Sequence, residues 1–360
     1  MARLLKVVLL LIICLQWTPL AHAQIFNVGD LVRSGVDDAN LLINEYLRPL
    51  GNGFGADLNN GWFNTARTHK FLGFDITVSA NTAIAPTSDE TFDISSLGLK
   101  NMRPLDAGNT ITPTIVGSED DGPEVEIFIE ALGQQMVVDT LKLPPGIGFR
   151  YVPSPMIQAS VGLFANTDVI LRFFPEVEFE KDIGSLRMFG VGVKHDLTQW
   201  LPGGGLLPFD LSVAAGVTTF QAQANLDVPP DPNLPQTGDG KYDNQEVEVE
   251  AKSFNLNVLI SKKFAILTLF GGVGIESSTV DLKLKGDYPI PILETDINSP
   301  NFSKPVTTPL RNPVNLSFDG ANETRVNVGA RLNLAILAIS ASYTFSKYPV
   351  FTLGAGLSIR

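Results

Sequence analysis

Outside the first two dozen residues the chain has two histidines, His69 and His195, and its acidic residues gather in clusters. These are the side chains whose chemistry has to be weighed first. Histidine titrates near neutrality and is the usual general base for acyl hydrolysis. Hydrolysis of that kind also needs a serine and an orienting Asn or Asp close by. His195 stands beside Asp196, but the chain contains no G-x-S-x-G elbow, and a dyad lacks the third partner. His195 therefore reads as a strand-end residue bonded to its neighbours, and His69, beside Lys70, as a residue meeting interfacial polar groups. The acids Glu119-Asp120-Asp121 and Asp227, Asp231, Asp239 and Asp243 lack the D-x-D-x-D-G spacing of a calcium loop. The glycine-rich GNGFGADLNNGW, residues 51–62, follows a helical pattern and is followed by no Gly-Lys-Ser/Thr, so it is no phosphate loop. The residues point to no enzyme, no cofactor and no metal centre.

What must position these side chains is a different kind of molecule. The chain opens MARLLKVVLLLIICLQWTPLAHA, with Arg3 and Lys6 before the apolar run Val7–Leu15 and the small-x-small site Ala21-His22-Ala23. That is the pattern of an export leader cut after Ala23, too short to span a bilayer. The only cysteine, Cys14, goes with it, so no disulfide holds the remainder. That remainder carries 24 Lys+Arg (26 minus Arg3 and Lys6) against 38 Asp+Glu, a net charge near −14. Such a balance argues against nucleic acid and against an anionic inner leaflet. Yet 44% of residues are hydrophobic and mean hydropathy is positive, with no second long apolar run. Apolar residues spread along alternating strands reconcile the two.

From Phe71 the sequence is dyadic. In FLGFDITVSANTAI, Phe74, Ile76, Val78 and Ala80 share one face, with Asp75, Thr77, Ser79 and Asn81 on the other. The pattern returns at 155–163, 169–177, 185–195, 209–217, 254–260, 267–275, 326–334, 339–345 and 351–359. Alternation fits a soluble β-sandwich, apolar side inward, or a transmembrane barrel, apolar side to lipid. The leader, the aromatics near strand ends (Trp200, Phe264, Phe345, Tyr348, Phe351) and the sorting of connections favour the barrel. Counting back from a last strand that ends on the periplasmic side, the tight turns Ala335–Leu337 and Ser261–Phe264 fall inside. The long Pro-rich loops Ala222–Asn244 and Gly286–Asn322 fall outside, and LTQWLPGGGLL, residues 197–207, lands periplasmically. The expected fold is all-β: an antiparallel transmembrane barrel of about 12 strands, within a range of about 10 to 14. It counts a hairpin from 124–131 and 135–143, and asks for a bulge or strand end at Pro175.

Ahead of the barrel, DLVRSGVDDANLLINEYLRPL, residues 30–50, spaces Ala39, Leu42, Ile43, Tyr46, Leu47 and Leu50 at helical intervals and stops at Pro49. This is too short and charged to cross a membrane. The stretch after it mixes glycines and asparagines with Phe54, Leu58, Trp62 and Phe63, too apolar for a solvated tether. We read it as a plug inside the barrel, with Asn52, Phe54, Leu58 and Trp62 packing against the lumen. The division is a leader over 1–23, helix and plug over 24–68 and barrel over 69–360. Parity then aims Asp75, Arg172, Glu176, Asp210, Asn255, Asn257, Glu276, Arg325 and Arg331 inward. Buried charges need compensation, so these pair with one another and with the plug, or orient a ligand.

Two blocks, NEYLRPLGNGFGADLNNGWFNTARTHKFLGFDITVSAN and FGVGVKHDLTQWLPGGGLLPFDLSVAAG, resemble an uncharacterised group of Gram-negative outer-membrane proteins known as a domain of unknown function. In architecture that group is similar to the long-chain fatty-acid transporter barrels, whose N-terminal hatch sits in fourteen strands. The resemblance implies residence in the bacterial outer membrane, contact with its lipid and lipopolysaccharide, and passage of small hydrophobic molecules. The alternative is a structural or assembly component whose long loops bind a partner or surface polymer.

Overall fold

The computed structural model describes Leu31 and residues 35–131, 134–179, 184–203, 206–237, 241–320 and 323–359. The expected leader, residues 1–23, lies outside them. Ten strands form the wall: β1 (Phe74–Ile84), β2 (Tyr151–Leu163), β3 (Thr167–Phe179), β4 (Gly184–Asp196), β5 (Asp210–Asn225), β6 (Glu246–Phe264), β7 (Leu267–Lys285), β8 (Glu323–Leu334), β9 (Leu337–Phe345) and β10 (Val350–Ile359). Each is antiparallel to the next. The ring closes where β10 pairs with β1, from Phe74 opposite Ile359 to Ala83 opposite Val350. Closure leaves no edge to be satisfied in hydrocarbon.

The dyadic faces sort as lipid demands. Phe173 is 58% exposed and Val273 57%, and the apolar sides of β6 and β8 are likewise exposed, while Asn255, Asn257, Arg325 and Asn327 between them are buried. A sandwich would bury the apolar face, so the ring settles that alternative. Connections 164–166, 197–209, 265–266 and 335–336 lie at one end. The other carries 85–150, 226–245 and 286–322, the asymmetry read from the sequence. Strands β5 and β6 run to Asn225 and Phe264, beyond where the sequence pattern placed their turns.

Four expectations need correction. The hairpin Glu124–Ala131/Gln134–Lys142 forms, but within the 85–150 connection and paired to Met102–Pro104, so the wall has ten strands, the lower end of the expected range. An eleventh strand of the main sheet, Val314–Asp319, borders β7 above the ring at Thr279–Leu284. Glu176 is exposed and accepts from Ser185 rather than facing the lumen. The β3–β4 register slips between Phe174 and Val177, around Pro175, and a bulge breaks the inward–outward alternation. Tyr348 is fully buried, not part of an aromatic girdle; it donates to Asp89 and accepts from Asn52.

The fourth correction is the largest. The helix α1 runs Val36–Asn59, through Pro49 and through the glycine run that reads as irregular. Proline and glycine both disfavour a helix interior, so packing has to override propensity. A Cβ on Gly53 would lie 2.8 Å from Val152 Cγ2, and one on Gly55 2.2 Å from Ser278 Oγ. The glycines are where the helix backbone lies against the wall. The upper helix buries Leu42, Ile43 and Tyr46 in an apolar cap with Val152, Val280 and Phe318. The Tyr46 hydroxyl donates to Pro145 O at 2.7 Å, and burial raises its pKa. Asp38 accepts from the backbone N–H groups of Lys100 and Asn101. Among the described residues no helix is long and apolar enough to span a membrane.

Candidate functional site

The helix ends in mid-lumen, where its last four carbonyls have no partner within the helix. All four are met by side chains. Asn60 Nδ2 donates to Ala56 O at 2.8 Å, and Asn81 Nδ2 of β1 to Asp57 O at 2.9 Å. Arg172 Nη1 of β3 donates to Leu58 O at 2.8 Å, and Arg325 Nη1 of β8 to Asn59 O at 2.8 Å. The two arginines place positive charge at the negative end of the helix dipole. Both are buried, Arg172 at 0% and Arg325 at 2% exposure. Arg325 is compensated by Glu276 at 2.9 Å, and Arg172 Nη2 reaches Asn60 O at 2.5 Å. The side chain of Asn60 links the walls further, its Oδ1 accepting from Thr344 Oγ1 at 2.6 Å and Arg325 Nη2 at 3.1 Å.

Below this clamp the chain continues in non-helical form down the barrel. Trp62 lies against Gly192 of β4 and Gly216 of β5, which oppose each other in register. A Cβ on either would come within 2.6–2.7 Å of the indole. The guanidinium of Arg172 covers the other face, 3.8 Å from the ring centroid, a cation–π contact in a desolvated place. Trp62 and Phe63 join Ile170, Leu259 and Phe270 in an apolar layer across the lumen. Further down, Thr65 Oγ1 meets Ser261 Oγ at 3.1 Å, and the Ala66 amide donates to the same hydroxyl at 3.0 Å. At the base, Asp168 accepts the His69 amide at 2.8 Å, sits 3.0 Å from His69 Nδ1 and pairs with Lys194 at 3.0 Å. Lys194 also donates to Arg67 O.

The short-turn mouth holds a cavity of about 200 Å³ lined by Thr65, Arg67, Thr68, Lys70, Asp210, Lys263, Thr268, Arg331 and Asn333. Arg331 Nη1 is held by Asp75 at 3.1 Å and by Asn64, and its Nε by Asn333 at 2.9 Å. His195 stands outside these networks. Trp200 Nε1–H donates to its Nε2 at 3.0 Å, so Nδ1 carries the proton and donates to Thr167 Oγ1 at 2.8 Å. Both nitrogens are committed.

Of the residues aimed inward by sequence parity, Arg172, Glu276 and Arg325 meet at the helix end, and Asp75, Arg331 and Asp210 near the mouth. Asn255 and Asn257 are bonded to each other at 2.8 Å along β6. Of the plug residues, Asn52 donates to Tyr348 Oη at 3.4 Å, Phe54 packs edge-on against Phe220 at 4.6 Å, and Leu58 and Trp62 are buried. Sequence reasoning put Asn81 on the polar face of its strand without giving it a role at the helix end, and missed Asp168, Lys194 and the Gly192–Gly216 seat. The parity that places Arg172 inward also places Asp168, and Val191 and Val193 facing out place Gly192 and Lys194 in.

A model described as "Family of unknown function (DUF6588)" matches residues 1–359. No curated protein sequence matches the chain. Among solved structures, the translocator domain of autotransporter NalP from Neisseria meningitidis is similar at TM-score 0.30 and 10% identity, covering 85% of this chain and 93% of that one. Ail, the attachment invasion locus protein of Yersinia pestis, gives 0.23 and 8%, over 81% and 99%. The outer membrane protease OmpT from Escherichia coli gives 0.27 and 8%, over 82% and 99%.

Proposed function

We propose that this chain, which belongs to the family of unknown function DUF6588, is a plugged outer-membrane channel that passes small, largely apolar molecules when its N-terminal segment shifts. The observation that carries the reading is the helix end in mid-lumen, with each terminal carbonyl held by a side-chain donor. The bonds from the Asn60 and Asn81 amides contribute only about 0.5–1.5 kcal/mol each net, and those from the charged Arg172 and Arg325 about 1.5–3 kcal/mol each. A closure built from such contacts can open without unfolding the wall. The apolar layer of Trp62, Phe63, Ile170, Leu259 and Phe270 gives an apolar solute a resting place within an otherwise polar lumen.

The test uses the absence of cysteine after Cys14. Thr65→Cys with Ser261→Cys puts two thiols where hydroxyl oxygens now stand 3.1 Å apart, within reach of a disulfide. Reconstituted in liposomes, the oxidised pair is expected to block influx of labelled alkyl acids, and reduction to restore it. Influx that is absent in the reduced protein and in the unmodified chain would overturn the reading.

A second reading, docking of a partner on the loop cap, draws on the exposed Met136 and Val137 of the 124–142 hairpin. Hairpin removal that abolishes partner capture and leaves influx unchanged would favour it.

A further inference from the structure

We infer that the cavity at the short-turn mouth is an oxyanion site, taking the phosphate or carboxylate group of a small solute on Arg331, Lys263 and Lys70. Nothing in the gating proposal requires such a site, and this inference goes beyond it.

The first argument is charge. Four cationic side chains, Arg67, Lys70, Lys263 and Arg331, line a cavity to which one carboxylate, Asp210, contributes. Counting also Asp75, which pairs with Arg331, the balance is four positive against two negative, an excess of two. This occurs in a chain whose formal charge is −12, so the mouth is a local reversal of the molecule's field. A concave surface with low-dielectric walls concentrates such a potential.

The second argument is an unused donor. Arg331 is 1% exposed and rigidly held, Nε by Asn333 and Nη1 by Asp75 and Asn64. Its Nη2 is buried and has no hydrogen-bond partner among the described residues. A buried guanidinium nitrogen left unbonded is costly; with almost no accessible surface it lies behind the lining, and a small shift of Arg331 would bring it to an anion in the cavity. A planar guanidinium fixed from three sides offers donors in the geometry that carboxylate and phosphate oxygens accept. The exposed ammonium groups of Lys70 and Lys263 supply charge without such orientation, and the Thr68 hydroxyl is a further donor in the lining. A cation would meet the opposite of what it needs: one lining carboxylate against four positive groups.

The test reads equilibrium binding, not flux, so its failure and the failure of the gating reading are distinguishable. The full mature chain, folded in a neutral detergent at low ionic strength, is titrated calorimetrically with inorganic phosphate in one arm and octanoate in the other. The comparison variant is Lys70→Gln with Lys263→Gln, two exposed side chains whose loss leaves the wall intact, as a heat-modifiability shift on a gel would verify. Saturable binding of either anion by the unmodified chain, weakened at least about tenfold in the double variant and further by added salt, is expected from two lost charges at contact range. Phosphate binding alone would assign a phosphorylated or inorganic ligand, and octanoate binding alone a carboxylate with an apolar body. Two results would overturn the inference: no saturable binding of either anion, or binding undiminished in the double variant.

Discussion

The two halves of the N-terminal segment are held by different physics. The upper helix, around Leu42, Ile43 and Tyr46, is fastened by an apolar cap that shares Val152, Val280 and Phe318 with the wall and loops. From Asp57 to His69 the chain is held by one apolar layer, at Trp62 and Phe63, and otherwise by polar contacts: Arg172, Arg325 and Asn81 on carbonyls, Ser261 on Thr65 and Ala66, Asp168 on His69. Apolar burial has no replacement in water, whereas each polar bond does. The contrast teaches that the cap is the anchor and the lumen the part free to rearrange, so an opening would begin below Asn59.

Three substitutions would break or sharpen that contrast, the first two read by hydrogen exchange of the segment in the folded barrel and the third by fluorescence. The largest effect is expected from Arg325→Leu. It leaves Glu276 without its cation and Asn59 O without its donor, and breaking a buried pair costs about 3–5 kcal/mol. Amides from 58 to 66 should exchange much faster while those from 39 to 47 hold. Equal acceleration in both stretches would mean that the segment is one cooperative unit. Ile43→Ala removes apolar volume from the cap, at about 2–5 kcal/mol, and should show the mirror image, with the upper helix loosened first. The smallest is Gly216→Ala. Its Cβ would press within 2.7 Å of the Trp62 ring, and overpacking of that kind costs about 1–3 kcal/mol. Trp62 fluorescence should shift as the indole leaves its seat, with the strand register of β4 and β5 unchanged.

Much of this was legible in the residues. The alternation in FLGFDITVSANTAI is the wall, and the same parity put Arg172, Glu276, Arg325 and Arg331 in the lumen before any contact was known. The plug was legible as composition: glycine, asparagine and aromatics together suit neither a tether nor a phosphate loop. Its conformation was not. Pro49 and three glycines argue locally against a helix, yet Gly53 and Gly55 are the points where the helix meets Val152 and Ser278. Parity failed at Glu176 because a bulge inserts one residue beside it; Pro175 signals that bulge, but not which residues beyond it change face.

The sequence alone determined what is periodic or compositional: strands with one apolar face, a charge balance unsuited to nucleic acid, and an inward set of charges. Those follow from nearest neighbours along the chain and from the two-residue repeat of a strand. Only the tertiary structure decided how many strands close the ring, that a helix survives its own glycines, and that two arginines from different walls converge on its end. These depend on which distant residues come within bonding range, as Arg172 and Leu58 do across 114 positions, and no local pattern carries that distance.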